Sequence, residues 1–222
     1  PICQAVFGVG VWLFPKNIYA SMVVIKAFLW LFEGGTLWLM RDLSPKKWLL
    51  YALNPFIIIE LCGNGHFEAA MIFFFILALT FLEKKQTTIY MLTQSSAAWV
   101  FAVAAKLLPL MFLPVLLRRL SGRSLGVFGL SFTVFMVVLF LPSASGFVNA
   151  SKSIALYFNN FQFNASVFYF FNFIISQIIG YHAIHISSPI LMVLCISSIF
   201  YIVFAQRSHY NSDIFNTCLF IN

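Results

Sequence analysis

Apolar residues run in blocks along this chain, and short polar clusters divide them. Ile18 to Met40 is long enough to cross a bilayer, for which about 20 residues suffice. It is predicted as a spanning helix, although it carries Lys26 and Glu33. A charged loop follows, with Arg41, Asp42, Ser44, Pro45, Lys46 and Lys47. Trp48 to Cys62 is apolar but short and contains Asn54-Pro55. The polar knot Gly63-Asn64-Gly65-His66-Phe67-Glu68 separates it from the apolar stretch Ala69 to Leu82. Glu83 to Gln86 closes that stretch. Ile89 to Leu117 is a long apolar run interrupted by Lys106, Pro109 and Pro114, and it ends at Arg118 and Arg119. Ser124 to Leu141 reads as another span, 142–166 as a polar stretch, and Val167 to Ile179 and Ile190 to Phe204 as two further apolar segments. Apolar runs of spanning length divided by short polar loops read as membrane helices, so the expected fold class is all-α.

Composition turns these blocks into a membrane assignment. The 222 residues are 62% hydrophobic and 9% charged, with a mean hydropathy of +0.95. Soluble domains are near 45–50% apolar and about 25% charged, so lipid must cover much of this surface. The expectation is one polytopic transmembrane helix bundle over 1–222, integral to a membrane and multi-pass, and a fragment incomplete at both ends. The net charge of +7 is not arranged as a basic stripe interleaved with aromatics, which argues against a nucleic-acid partner. Cys3, Cys62, Cys195 and Cys218 lie scattered in apolar stretches and read as small hydrophobes.

Charge also gives a topology. Eight of the 13 Lys and Arg fall in 41–47, 83–87 and 118–123. Loops rich in Lys and Arg stay on the cytoplasmic side, so an even number of crossings must separate each pair of them. Residues 48–82 are therefore expected to form an out-and-back hairpin turning at Gly63–Glu68. Residues 88–117 are expected to form a second one turning near Lys106 to Pro109. Each arm has about 15 residues, and arms broken by Gly or Pro are tolerated at membrane depth only beside protein or a watery cavity. The 142–166 stretch then lies outside.

Ionisable groups within such segments are costly and point to function. Glu33, Glu60 and Glu68 are three of the six acids, and Lys26 and Lys106 are their basic counterparts. The densest cluster is Glu60, Asn64, His66 and Glu68. Gly63 and Gly65 free the backbone for a sharp turn, and Asn, His and Glu supply a donor, a donor/acceptor and a base. That set suits a polar ligand. Simpler readings stay open: a helix cap and turn at Asn64, or structural ion pairs of Glu60 or Glu68 with Lys26 or Lys106. Lys106 could bind a phosphate or snorkel to the interface. One His with one or two Glu falls short of a transition-metal set, while a divalent cation held jointly with a phosphate stays compatible. Tyr157, Asn159, Asn160, Gln162 and Asn164 form a further polar-aromatic stretch, read as an interfacial helix or part of a groove.

The run from Tyr51 through Asn54-Pro55, Glu60 and Gly63-Asn64-Gly65-His66 to Glu68-Ala69-Ala70 resembles a block in GT-C class membrane glycosyltransferases. It is closest in pattern to bacterial polyprenol-phosphate-dependent mannosyltransferase-like families, including glycosyltransferase family 87. Ala105-Lys106-Leu107-Leu108-Pro109 to Pro114, followed by Arg118-Arg119, resembles a second block, and Phe161–Val167 a weaker third. The resemblance covers most of residues 1–170.

It implies a GT-C-like bundle of short broken hairpins in a bacterial inner (plasma) membrane. It further implies transfer of a hexose such as mannose from a polyprenyl-phosphate donor to a glycan, lipid or protein acceptor on the non-cytoplasmic side. The class's principal acid usually lies in a first outer loop, expected ahead of Pro1. Within this chain Glu68 is the catalytic candidate, standing where the family often has Asp. Asn64, His66 and Glu60 are candidates for binding the sugar or acceptor, and Lys106 for the donor phosphate. A transporter or lipid flippase using the same intramembrane charges is the competing reading.

Overall fold

The computed structural model describes residues 1–42, 45–83, 88–120, 122–142 and 166–179, with single positions between 187 and 201. These residues are helical, and no strand occurs among them. They fall into two compact units, one within 1–139 and one within 140–210.

In the first unit, α1 (Ile2–Leu13) and α2 (Ile18–Leu39) form an antiparallel pair. Asn17 starts α2 by accepting the Ala20 N–H at 3.1 Å, since Asn can satisfy one of the orphan donors of a first turn. The buried Ser21 hydroxyl ties the pair by bonding the Gly10 and Phe14 carbonyls at 3.1 and 3.0 Å. The chain then continues through α3 (Pro45–Ala52), a π-helix (Ile57–Gly63), α4 (Glu68–Leu82) and α5 (Ile89–Ala105). A 3-10 turn (Leu108–Phe112), α6 (Leu113–Arg119) and α7 (Gly122–Phe140) follow.

Small residues make the centre. Ala69, Ala70, Ala78, Ser95, Ala98 and Ala102 are buried small residues of α4 and α5, which lets the two backbones approach. Ser95 donates to the Ala78 carbonyl at 2.8 Å across that seam. Trp99 fills the remaining space, with its ring edge-on to Phe75 and Phe128. Outward, α2 exposes Ile18, Val23 and Leu31, and α7 exposes Leu130, Val137 and Val138, as helices facing lipid do. By length and composition α2 and α7 can each cross a membrane. The π-helix and α4, bent by 109°, add a third crossing only if counted as one broken span.

The contacts along α2 favour a re-entrant hairpin for that bent pair. The Trp48 indole donates to the Leu37 carbonyl, the Tyr51 hydroxyl to Glu33, the Trp30 indole to the Cys62 carbonyl and the Lys26 ammonium to the Gly63 carbonyl. From 48 to 63 the chain thus runs back along α2. It then returns, with Phe73 against Phe32 and beside Gly35. Both arms start and finish beside the C-terminal half of α2, and the turn lies near the middle of a helix about 33 Å long. A second reversal occurs at Lys106. The buried Trp99 indole donates to the Pro109 carbonyl at 3.2 Å, so the chain doubles back against α5.

One arm of each hairpin is a regular helix, and the other is broken at proline. Pro55 separates α3 from the π-helix, and Pro109 and Pro114 divide the return after Lys106. Helix α7 meets α5 through Ser96–Ser131 at 2.7 Å and Trp99–Phe128. These two contacts advance in opposite directions, so α7 is antiparallel to α5 where they touch. That register starts α7 toward the Lys106 end of α5, whereas charge counting expects 118–123 on the side of 83–87. Packing and charge therefore assign this loop differently.

Glu33 is buried on α2 and accepts from Tyr51 at 3.2 Å. Removing that donor with Tyr51→Phe leaves a buried carboxyl group with one fewer partner. The expected loss is about 1–3 kcal/mol, read as a lower Tm in detergent.

In the second unit, α8 (Ser166–Ile179) carries a buried Asn172, whose side-chain oxygen accepts from Ser187 at 3.1 Å. The polar-aromatic positions Tyr157 to Asn164, the weaker third block at Phe161–Ala165, Lys84 to Thr87, Cys195 and Cys218 lie outside the described residues.

Candidate functional site

The knot after the π-helix is built by backbone geometry first. Asn64 N–H reaches five residues back to the Ile59 carbonyl at 2.8 Å, closing the last π turn. His66 N–H bonds the Glu60 carbonyl at 3.2 Å. Gly65 has φ of +77°, a left-handed value that a residue with Cβ rarely adopts, and it reverses the chain. Helix α4 starts immediately afterwards with Glu68 as its first residue, an acid at the positive end of the helix.

This turn assembles a chain of polar contacts. The Asn64 amide donates to Glu60 Oε2 at 3.2 Å. His66 Nε2 stands 3.2 Å from the same oxygen, and His66 Nδ1 stands 3.7 Å from Glu68 Oε2. Glu68 Oε1 is in direct contact with the Lys106 ammonium, which is a donor from the second hairpin turn. All five residues singled out in the sequence therefore come together, the last of them 38 residues away from Glu68.

The cluster is open. His66 and Lys106 side chains are 52% and 51% exposed, and those of Glu60 and Glu68 32% and 29%. A ligand can thus reach both the imidazole and the ammonium, while the carboxylates behind them hold them in place. Phe7 of α1 packs on Phe67 at 5.2 Å, and Cys3 Sγ lies 3.6 Å from the Ala105 carbonyl, so the start of α1 lines the same level.

The ion pairs are selective. Of the two pairings open in the sequence, Glu68 takes Lys106. Lys26 instead donates to the Gly63 carbonyl at 2.9 Å, and Trp30 donates to the neighbouring Cys62 carbonyl at 3.1 Å. The part played by Trp30 was not recognised in the sequence. Its spacing of four from Lys26, which puts both on one helix face, was the available signal. Glu33 is not part of the cluster, because it pairs with Tyr51.

Among the described residues no group of three or more His, Cys, Asp and Glu side chains is placed to hold a metal ion. A groove of about 690 Å³ lies elsewhere, between Lys46 and Asn54-Pro55, and is lined by Leu49, Leu50 and Leu53. Its apolar lining suits lipid rather than polar chemistry, so the reactive groups point to the Glu60–Lys106 cluster instead.

Compared with known proteins, the chain matches no family model, no curated protein and no solved structure.

Proposed function

We propose that this chain carries a substrate site of a membrane glycosyltransferase of GT-C type, which moves a hexose such as mannose from a polyprenyl phosphate to a hydroxyl acceptor. The observation that carries the reading is the meeting of two separate sequence blocks at one open polar cluster. Two hairpin turns bring Glu68 of the first block, with His66 beside it, against Lys106 of the second. Sugar transfer from a lipid phosphate needs such a pair of functions. A base or acceptor-orienting group must act on the incoming hydroxyl, and a cation must stabilise the departing phosphate.

The division of labour follows from the contacts. Lys106 has three N–H donors, and Glu68 engages part of that capacity. The half-exposed remainder faces the donor phosphate. His66, held between Glu60 and Glu68, and Asn64 bind sugar or acceptor hydroxyls. Glu68 holds both Lys106 and His66 and remains the carboxylate nearest both halves of the reaction. A divalent cation, where one takes part, would bridge from the phosphate rather than sit in a preformed protein cage.

The direct test uses the protein expressed from its full reading frame in membranes, supplied with labelled polyprenyl-phosphate hexose. His66→Ala at normal expression is expected to lower transfer about 100-fold, the scale of a lost acid–base or orienting group. Wild-type transfer by that variant contradicts the reading.

A further inference from the structure

Lys26 is an unusual residue to find about 12 Å along a helix able to cross a membrane. A buried or half-buried lysine in such a place normally finds an acid. This one is bonded to a backbone carbonyl, that of Gly63, and Trp30 on the next turn of α2 is bonded to the carbonyl of Cys62. Both acceptors belong to the last turn of the π-helix. The final carbonyls of any helix lack intrahelical donors, and the negative end of the helix dipole falls on them. Gly65, at its positive φ, turns the chain away; the His66 N–H reaches back to the Glu60 carbonyl, and the Cys62 and Gly63 carbonyls take their donors from α2. Without water these carbonyls are costly to leave unpaired, and α2 supplies a cation and an indole N–H.

The end so held is also the end that carries the site. Glu60 sits within the π-helix, three residues before Gly63, and its carboxylate takes both the Asn64 amide and His66 Nε2. The position of Glu60 against His66 therefore depends on where the π-helix stops.

We propose that Lys26 and Trp30 are positioning residues, a two-point clamp from α2 that fixes the end of the π-helix and so sets the Glu60 carboxylate on His66. Lys26 works through Glu60 rather than by touching the reacting atoms. Its catalytic consequence rests on the transferase reading above, whereas the clamp itself can be read without any assumed chemistry, because the clamped turn contains a thiol. Cys62 is free and half-buried.

The experiment uses the full protein with Cys3, Cys195 and Cys218 changed to Ser, so that Cys62 is the one remaining thiol among these four. Alkylation of Cys62 by N-ethylmaleimide is timed in the parent and in Lys26→Met, Lys26→Arg and Trp30→Phe. Release of the turn is expected to speed labelling about 5-fold or more in Lys26→Met and by less in Trp30→Phe, with Lys26→Arg near the parent because a donor is retained. An unchanged rate in Lys26→Met overturns the clamp. Transfer is then compared in Lys26→Met, Glu60→Gln and the double variant. A residue acting through Glu60 gives a double variant no slower than Glu60→Gln alone. A further loss of about 10-fold in the double variant shows a separate role for Lys26 and overturns the positioning assignment. If the parent transfers no sugar from polyprenyl phosphates, the transferase reading falls, and the Cys62 rate still decides the clamp. Trp30→Phe guards against misfolding, since it removes the indole N–H and keeps a smaller aromatic ring at a lipid-exposed position.

Discussion

Lys106→Met is expected to lower sugar transfer by about 100- to 1,000-fold while the protein still folds and inserts. The size of the effect comes from the loss of a fixed cation where negative charge develops on the departing phosphate. The survival of the fold follows from exposure. Glu68 and Lys106 are 29% and 51% exposed, and a pair this open contributes only about 0–1 kcal/mol. A purely structural ion pair predicts the opposite pattern, with little loss of transfer per folded molecule and a loss of expression.

The exchanged variant, Glu68→Lys with Lys106→Glu, separates the two. It restores opposite charges at the same two positions and should recover whatever the pair contributes to folding. It puts a cation beside His66 and a carboxylate at the phosphate, so transfer should stay at the level of Lys106→Met or below. Recovery of transfer in the exchanged variant would show that the pair matters only as a pair. Lys106→Arg keeps the charge but changes its shape and reach, and an intermediate rate is expected.

A second large effect, this one on stability, is expected at Gly35. A Cβ built there would lie 2.6 and 2.9 Å from the ring of Phe73, well inside contact distance. Phe73 is hemmed in by Phe32 and Phe74, at centroid separations of 5.6 and 5.1 Å, so its ring cannot yield without disturbing both neighbours. Gly35→Leu is expected to cost about 1–3 kcal/mol through overpacking of α2 against α4, seen as a lower Tm and earlier aggregation in detergent. Phe73→Ala placed on top should return part of the loss, because it vacates the space the new side chain needs. Gly34 is the control. Nothing lies within 4 Å of a Cβ at that position, and Gly34→Ala should be neutral or stabilise α2 by up to about 1 kcal/mol. Equal losses at the two glycines would mean that backbone freedom, not contact with Phe73, is what Gly35 provides. Because α4 begins with Glu68, a shift of this helix at Phe73 also carries into the polar cluster.

Much of this arrangement was legible in the chain itself. The apolar blocks and the low charge content required helices facing lipid, since no other regular structure except a closed barrel satisfies its backbone there. The segment starts read at Ile18 and Ile89 are those of α2 and α5, where the structure shows Asn17 and Thr88 each accepting the N–H three residues on. The grouping of Gly63, Asn64, Gly65, His66 and Glu68 within six residues fixed both a turn and a candidate site, because local spacing determines what one turn of chain can bring together. The basic clusters indicated two hairpins; the contacts along α2 and at Pro109 place reversals at the knot and at Lys106, while the packing of α7 on α5 departs from the side that charge gives to 118–123.

Tertiary structure decided the partners. Sequence left Glu68 free to pair with Lys26 or Lys106, and only the packing of α4 on α5, registered by Ser95 against Ala78, puts Lys106 beside it. Sequence also ranked Glu33 with the other intramembrane acids, yet the return of the chain along α2 gives it Tyr51 and removes it from the cluster. The same return turned Lys26 from a presumed counter-ion into a donor to the π-helix end. Charge counts fix the number of reversals but carry no information on which carbonyl lies opposite which donor. That depends on helix register, which small residues such as Ala69, Ala78, Ser95 and Gly35 set by how closely they let backbones approach.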